Sequence, residues 1–300
     1  MAAQTPRAER FLAPARGQAA GLVAGAIVSA VAYRVLQRLG PPPTATATEQ
    51  PGDEVPQGWR HAFWRQNFAD EQVSLFAGPA SLAGLIAGSL MSGRSDAAAI
   101  ALAAGGVGLL DDLAGSGDSR GLKGHLRALV RGEVTTGGIK VAGLTASAAL
   151  LALSRRRAPT SATAGILDAA VDAALVAGTA NLVNLFDLRP GRAAKAVVAM
   201  TGLMSLAALP TTAGPVLGAL AGTARADLGG RSMLGDCGAN AAGAVLAAGF
   251  TTVAPRPARL VALAGVTALT LASEKVSFSR VIERTPWLRR LDRWGRRPGG

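Results

Sequence analysis

Apolar residues in this chain arrive in near-continuous blocks, not as the one-in-three-or-four stripe of a half-buried helix. Blocks approaching spanning length fall at about nine places, roughly residues 18–38, 75–93, 97–110, 138–154, 164–186, 193–210, 213–228, 238–254 and 257–273. A bilayer core is crossed by about 20 consecutive apolar residues. The pattern therefore predicts an all-α polytopic membrane protein, a bundle of about nine or ten transmembrane helices forming one domain over residues 1–300. Several blocks are short, and the stretch from Pro210 to Pro215 reads equally well as a kink within one segment. Residues 39–74 form a linker rich in Pro and Thr near its start, and residues 275–300 a basic tail. The first block follows a short basic segment, as a secretory leader does. It is longer than a usual leader core and runs into Arg34 and Arg38, so it reads as a retained span.

Composition agrees with the block pattern. Hydrophobic residues make up 49% and charged residues only 17%, where a soluble domain carries about a quarter charged. Ala and Gly dominate the blocks, and such small residues let helix backbones approach closely. A net charge of +12 raises nucleic acid as a partner. The Lys and Arg residues sit between apolar blocks, however, which marks topology and contact with anionic lipid or phosphate; no nucleic-acid partner is expected. Cys237 is the single cysteine, which leaves no intramolecular disulfide and no cysteine-rich zinc site.

An N-terminus outside followed by nine spans puts the loops at 39–74 and 111–137, the turns near 189 and 231, and the tail on the inner side. Those regions hold roughly twenty of the 31 Lys and Arg, against about nine outside, which follows the positive-inside rule. Arg155-Arg-Arg157 is the exception. The expected location is the plasma (inner) membrane, with the polar clusters facing the cytoplasm. In the tail, Trp287, Leu291 and Trp294 share one helical side among arginines, which suits a helix lying in the headgroup region or a solvated basic tail.

Four polar clusters interrupt the blocks on that inner face. The first is Asp111-Asp112, followed by Asp118, Arg120, Lys123, His125, Arg127 and Arg131. The second is Asn181-Leu-Val-Asn184-Leu-Phe-Asp187 with Arg189, Arg192 and Lys195; the third is Arg231-Ser-Met-Leu-Gly-Asp236-Cys-Gly-Ala-Asn240. The fourth joins Trp64-Arg-Gln-Asn67 to Val73-Ser-Leu-Phe-Ala-Gly78. On a helix Asn181 and Asn184 share a face, with Asp187 about 120° away from Asn181. Two adjacent aspartates at a span end need a counter-charge, since each costs about 2.5–3.5 kcal/mol at a bilayer centre. Oxygen ligands from Asp and Asn suit Mg²⁺, and the interleaved Lys and Arg suit phosphates. Carboxylates for a hard cation alternating with basic residues are what diphosphate chemistry at a membrane surface requires.

Each piece also has a plainer reading. An Asp pair at a helix end is commonly a solvated interface, and Asn in a span is commonly helix–helix glue. Gly235-Asp236-Cys237-Gly238 reads as a tight turn with Asp236 as its cap, His125 as a polar loop residue, and Asp168 and Asp172 as interfacial groups.

Together, Gly108-Leu-Leu-Asp-Asp112, Asn181-Leu-Val-Asn-Leu-Phe-Asp187 and Met233-Leu-Gly-Asp-Cys-Gly238 resemble the motifs of the polyprenyl-phosphate N-acetylhexosamine-1-phosphate transferases, the MraY- and WecA-like glycosyltransferases, in the order found there. Val73-Ser-Leu-Phe-Ala-Gly-Pro79 is similar to a divergent form of that family's early Pro-Thr-x-Gly-Gly segment, and the resemblance spans about residues 64–275. It implies transfer of a sugar 1-phosphate from a UDP-sugar to a polyprenyl phosphate, with release of UMP, for cell-envelope glycan synthesis. It further implies Mg²⁺ as cofactor, Asp236 as metal ligand and Asn184 as the second. Asp111, Asp112 and Asp187 match the family's catalytic acids, and Lys123 matches a loop lysine that holds phosphate. The neighbouring Asn181, Arg189, Arg192 and Arg231 are the expected substrate- and phosphate-binding residues. The expected partners are the membrane, polyprenyl phosphate and the UDP-sugar, with a homodimer left open. In such a reaction basic groups and the cation cancel repulsion between two phosphates and align them for attack. A general base contributes less, because the attacking phosphate is already mostly ionised near neutral pH.

Three departures accompany the resemblance. Pro190, in Leu188-Arg-Pro-Gly-Arg192, stands where the bacterial Asp-x-x-Asp segment has its second acid. The late cytoplasmic loop has no His-x-His motif; the chain holds only His61 and His125, and the region reads Ser273-Glu-Lys-Val-Ser-Phe-Ser-Arg280. The blocks also number about nine and not ten. These departures motivate a catalytically inactive relative that binds lipid phosphate or envelope machinery as one alternative. A transporter is the other, since broken spans with polar residues are a transporter pattern.

Overall fold

The structure, a computed structural model, describes residues 7–40, 61–66, 72–114 and 162–296. The block at 138–154, Lys123, His125 and Arg155 to Arg157 lie outside the described residues. In chain order the elements are α1 (Arg7–Leu39), a short 3-10 turn (His61–Phe63), β1 (Trp64–Gln66), β2 (Gln72–Ser74), α2 (Ala77–Met91), α3 (Ser95–Ala114), α4 (Ala162–Phe186), α5 (Arg192–Ser205), α6 (Ala213–Asp227), α7 (Gly235–Val253), α8 (Arg256–Ser273), α9 (Phe278–Arg284) and α10 (Pro286–Arg293). Every apolar block within the described residues forms a helix over most of its length.

Two helices are by themselves long and apolar enough to cross a membrane, over Pro14–Leu39 and Thr163–Phe186. α8 and α9 qualify together but are bent by 90°, so the described residues hold two or three such spans. That is fewer than the nine or ten the blocks suggested, and helix length supplies part of the reason. α2, α5 and α6 have 14 or 15 residues, which at 1.5 Å per residue reach about 21–23 Å against a hydrocarbon core of about 30 Å.

α7 is the central helix. Every residue from Cys237 to Thr251 is buried, and α2, α3, α4, α5 and α6 all pack on it. Its Ala- and Gly-rich sequence permits this, because small side chains leave the neighbouring backbones in contact. Outside this group α1 lies against α2 and α6. Gly214, Gly218 and Gly222 form one row on α6, and a Cβ on Gly218 would stand 2.1 Å from the Leu22 carbonyl oxygen. Gln18 ties the same pair of helices, donating from Nε2 to the Pro210 carbonyl at 2.8 Å and accepting from the Gly214 N–H at 2.6 Å.

Two sequence expectations change. The linker predicted over 39–74 contains an antiparallel hairpin pairing Trp64 with Ser74 and Gln66 with Gln72. Val73 is fully buried, and Phe76 sits among the rings of Phe63 and Trp64 at 5.5 and 5.8 Å. The Met233 N–H donates to the Ser74 carbonyl at 2.8 Å, and the Ser232 hydroxyl accepts the Ala77 N–H at 2.9 Å, capping α2. Asp172, expected at the interface, is 3% exposed and pairs with Arg259 of α8 at 2.5 Å. Asp168 receives Arg256 at 3.2 Å and Arg259 at 3.4 Å. α8 packs against α4, and Arg259 reaches both acids one turn apart, which is why Asp172 is internal.

Candidate functional site

The start of α7 is where the polar motifs meet. Gly235 holds φ at +59°, a left-handed conformation that glycine adopts without a Cβ penalty. Asp112, in the last turn of α3, accepts the Asp236 N–H on Oδ1 at 3.0 Å and the Cys237 N–H on Oδ2 at 2.9 Å. Those are two of the N–H groups that a helix start leaves without internal partners, and the carboxylate also sits at the positive end of the helix dipole. The approach depends on Gly108, one turn earlier on α3, where a Cβ would lie 2.2 Å from the Asp236 carbonyl oxygen. Arg65 of the hairpin donates from Nη2 to the Asp112 carbonyl at 2.6 Å, closing the end of α3. Asp112 is thus an anchor for the helix that bears Asp236. Asp111, its neighbour, is half-buried.

Asp187 follows the last residue of α4, its N–H donating to the Asn184 carbonyl at 2.9 Å. Its side chain is buried, and neither oxygen has a hydrogen bond of normal geometry among the described residues. Burial, and after it the charge of Asp227, pushes the Asp187 carboxyl well above the usual carboxylate range. The nearby Gly235 N–H partly offsets this, while Asp112 and Asp236 add to it. Asp227, Asp112 and Asp236 thus all lie within electrostatic reach of Asp187. Asp227 ends α6 and accepts the Gly191 N–H on Oδ1 at 2.7 Å, while its buried Oδ2 has no partner among the described residues. Asn240, four residues beyond Asp236 on the same face of α7, is fully buried, and neither side-chain polar atom has a partner among the described residues. Sequence reasoning did not select Asp227. The available signal was a lone acid closing an apolar block immediately before Leu228-Gly-Gly230.

Arg189 and Arg192, expected to hold phosphate, and the neighbouring Lys195 are already engaged. Arg192 is 4% exposed and bonds Asp292 at 2.8 Å and the Ser279 hydroxyl at 2.7 Å. Lys195 donates from Nζ to the Asp292 carbonyl at 2.6 Å, and Arg189 pairs with Glu283 at 2.7 Å. Burial pushes the Asp292 carboxyl up, but the hydrogen bond and charge of Arg192, with Arg296 and Lys195, hold it below the ordinary range. Arg231 is exposed, with one long contact of 3.4 Å to the Arg225 carbonyl. Asn181 and Asn184 are half-buried on α4.

Beside this end lies an open apolar groove of about 980 Å³ between α4, α5, α8 and the tail helices. Leu182, Met200, Leu203, Val261 and Leu269 line it, and Arg192, Lys195 and Asp292 stand at its polar edge. The stacked rings of Phe186 and Phe278, 4.8 Å apart, join α4 to α9 along its wall.

Among the described residues no three His, Cys, Asp or Glu side chains form a cluster able to cage a metal ion. Mg²⁺ needs no such cage, since it is often held by one or two carboxylates together with waters and substrate phosphates. The unpartnered Asp187 carboxylate near Asp236 fits that lesser demand. The chain matches no protein-family model, no curated protein and no solved structure.

Proposed function

We propose that the chain is a polytopic membrane phosphoglycosyltransferase that moves a sugar 1-phosphate from a UDP-sugar to a polyprenyl phosphate, with its site at the cytoplasmic face of the inner membrane. One observation carries the reading: Asp112, Asp187 and Asp236, from three motifs distant in sequence, gather at the start of α7. The apolar groove beside them has the character an isoprenoid chain requires, with cationic groups at one edge.

In this reading an oxygen of the lipid phosphate attacks the donor phosphorus that carries the sugar. The bond from that phosphorus to the bridging oxygen breaks, and UMP leaves with the electron pair. Asp236 and Asp187, with Asn184, would hold Mg²⁺, which supplies charge neutralisation on the diphosphate. Asp112 positions Asp236 through the backbone of α7. Arg192 and Lys195 orient the lipid phosphate at the groove edge, sharing their charge with Asp292. Asp111 and Lys123 keep the acid and phosphate-binding roles that the motif resemblance gives them.

The test is purified protein with radiolabelled UDP-N-acetylhexosamines, undecaprenyl or decaprenyl phosphate and Mg²⁺, followed by UMP release and lipid-linked product. Asp236→Ala should abolish turnover and Asp168→Ala should retain most of it. No turnover or UMP exchange with any donor, while a control transferase works, would sink the proposal. A second reading, an inactive relative that binds lipid phosphate, is favoured by Pro190 in place of an acid and by Asp112 being committed to α7. Turnover by the purified chain discards it.

A further inference from the structure

The tail helices enclose a second cavity, of about 370 Å³, whose lining includes Arg189, Arg289, Arg293, Arg296, Glu283 and Asp292. Arg289 and Arg293 lie one turn apart on one side of α10, and Arg296, just past the helix end, lines the same cavity. Four guanidinium groups face two carboxylates. Glu283 is paired with Arg189 at 2.7 Å, and Asp292 is shared between Arg192 at 2.8 Å and Arg296 at 3.0 Å. Arg289 and Arg293 have no carboxylate partner among the described residues.

Arg296 sharpens the imbalance. Its side chain is 14% exposed, and its buried Nε has no acceptor among the described residues. Burial pulls the Arg296 guanidinium below its usual range; Asp292 opposes this, while the charges of Arg192 and Arg189 add to it. A walled pocket with surplus positive charge and an unanswered donor is built for an anion, and the guanidinium fork matches phosphate oxygens in pairs. The opposite side of α10 carries Trp287, Leu291 and Trp294, at 65%, 50% and 71% exposure. Tryptophan and leucine beside arginine on a short helix suit the headgroup layer, which sets the cavity at the depth of lipid phosphates.

We propose that this cavity binds a phosphate group, from an anionic phospholipid headgroup or a soluble diphosphate, between Arg189, Arg289, Arg293 and Arg296. None of the four clustered aspartates lines this cavity, and the proposal does not depend on the transferase reading.

The experiment uses the full chain in a neutral maltoside detergent. Dioctanoyl phosphatidylglycerol, dioctanoylglycerol and inorganic pyrophosphate are titrated in turn, and binding is read from the thermal midpoint and from tryptophan fluorescence. Phosphatidylglycerol should bind and dioctanoylglycerol, with the same chains and no phosphate, should not. The double variant Arg289→Gln/Arg293→Gln, at exposed positions that leave folding intact, should weaken binding about tenfold or more, as loss of charge-assisted hydrogen bonds implies. Arg290→Gln, outside the cavity, should bind as the parent does. Competition by pyrophosphate supports the site with phosphate alone as its determinant; its failure to compete supports the lipid as the source. Equal responses to the two lipids, undiminished binding by the double variant, or no binding of any probe would overturn the proposal.

Discussion

Asp112→Asn is the substitution that most directly separates anchoring from chemistry. Asparagine is nearly isosteric but offers one acceptor where Asp112 offers two, and it turns an N–H donor toward a backbone N–H. The bonds at 3.0 and 2.9 Å to Asp236 and Cys237 therefore become one, and the remaining one loses its charge. A hydrogen bond to a charged group contributes about 1.5–3 kcal/mol, and a carboxylate at a helix start about 0.3–1 kcal/mol. The expected loss is about 2–4 kcal/mol, toward the lower end because Asp112 is only half-buried. Reversible unfolding in mixed maltoside–dodecyl sulfate micelles measures that loss. Hydrogen exchange over residues 233–240 localises it, with faster exchange expected at the Asp236 and Cys237 amides. Any turnover should fall without vanishing, because Asp236 is displaced and not removed. A variant within about 0.5 kcal/mol of the parent, the usual range of neutral surface changes, with unchanged exchange at those amides would refute the anchor.

Asp187 has a raised carboxyl pKa in the fold, so the folded state holds its proton more tightly than the unfolded chain does. The stability it contributes is present below the unfolded value of about 3.9 and is lost as pH rises toward the folded value. Asp187→Asn should accordingly flatten that decline in chelator-treated protein, and an unchanged pH profile would count against its burial. Asp292 behaves oppositely: its depressed pKa contributes stability above about pH 4 that is lost on further acidification. Tail proteolysis should rise below that pH, and Arg192→Gln should make the tail labile already at pH 7. Asp172→Ala leaves Arg259, itself 4% exposed, with only its longer 3.4 Å contact to Asp168, and should cost about 3 kcal/mol in micellar unfolding. Asp168→Ala, at a more exposed site, should cost about 1 kcal/mol or less, so equal costs would contradict the buried pair. Gly108→Ala puts a Cβ 2.2 Å from the Asp236 carbonyl oxygen and should lower the unfolding midpoint, whereas Gly106→Ala, facing open space, should not.

Helices were readable because a block of Ala, Leu, Val and Gly long enough to bury has few other ways to satisfy its backbone. The meeting of residues 108–112 with 233–238 was legible only as a grouping of motifs; that Asp112 would grip the backbone of α7 was not, because a cap supplied by another helix leaves no local spacing. The hairpin at 64–74 escaped notice because three-residue strands are too short to show alternation. The burial of Asp172 and Arg192 was not legible, for a shared reason. Each looks like a charge near a helix end, and each is internal because its partner, Arg259 or Asp292, arrives from 87 or 100 residues away.

The Asp172–Arg259 pair has a consequence for how the chain is made. A growing polypeptide delivers α4 to the membrane well before α8 leaves the ribosome, and a lone central charge raises insertion cost by about 2.5–3.5 kcal/mol. Once both helices are present, each charge is answered by the other. In a chain that threads both helices into a bilayer, the pair would couple two separate insertion events. There α4 would wait beside the translocation machinery, or sit shallowly, until Arg259 emerges. Chains truncated before residue 256 should accordingly integrate α4 less completely than chains extended past α8, which makes the order of synthesis part of the route to this bundle.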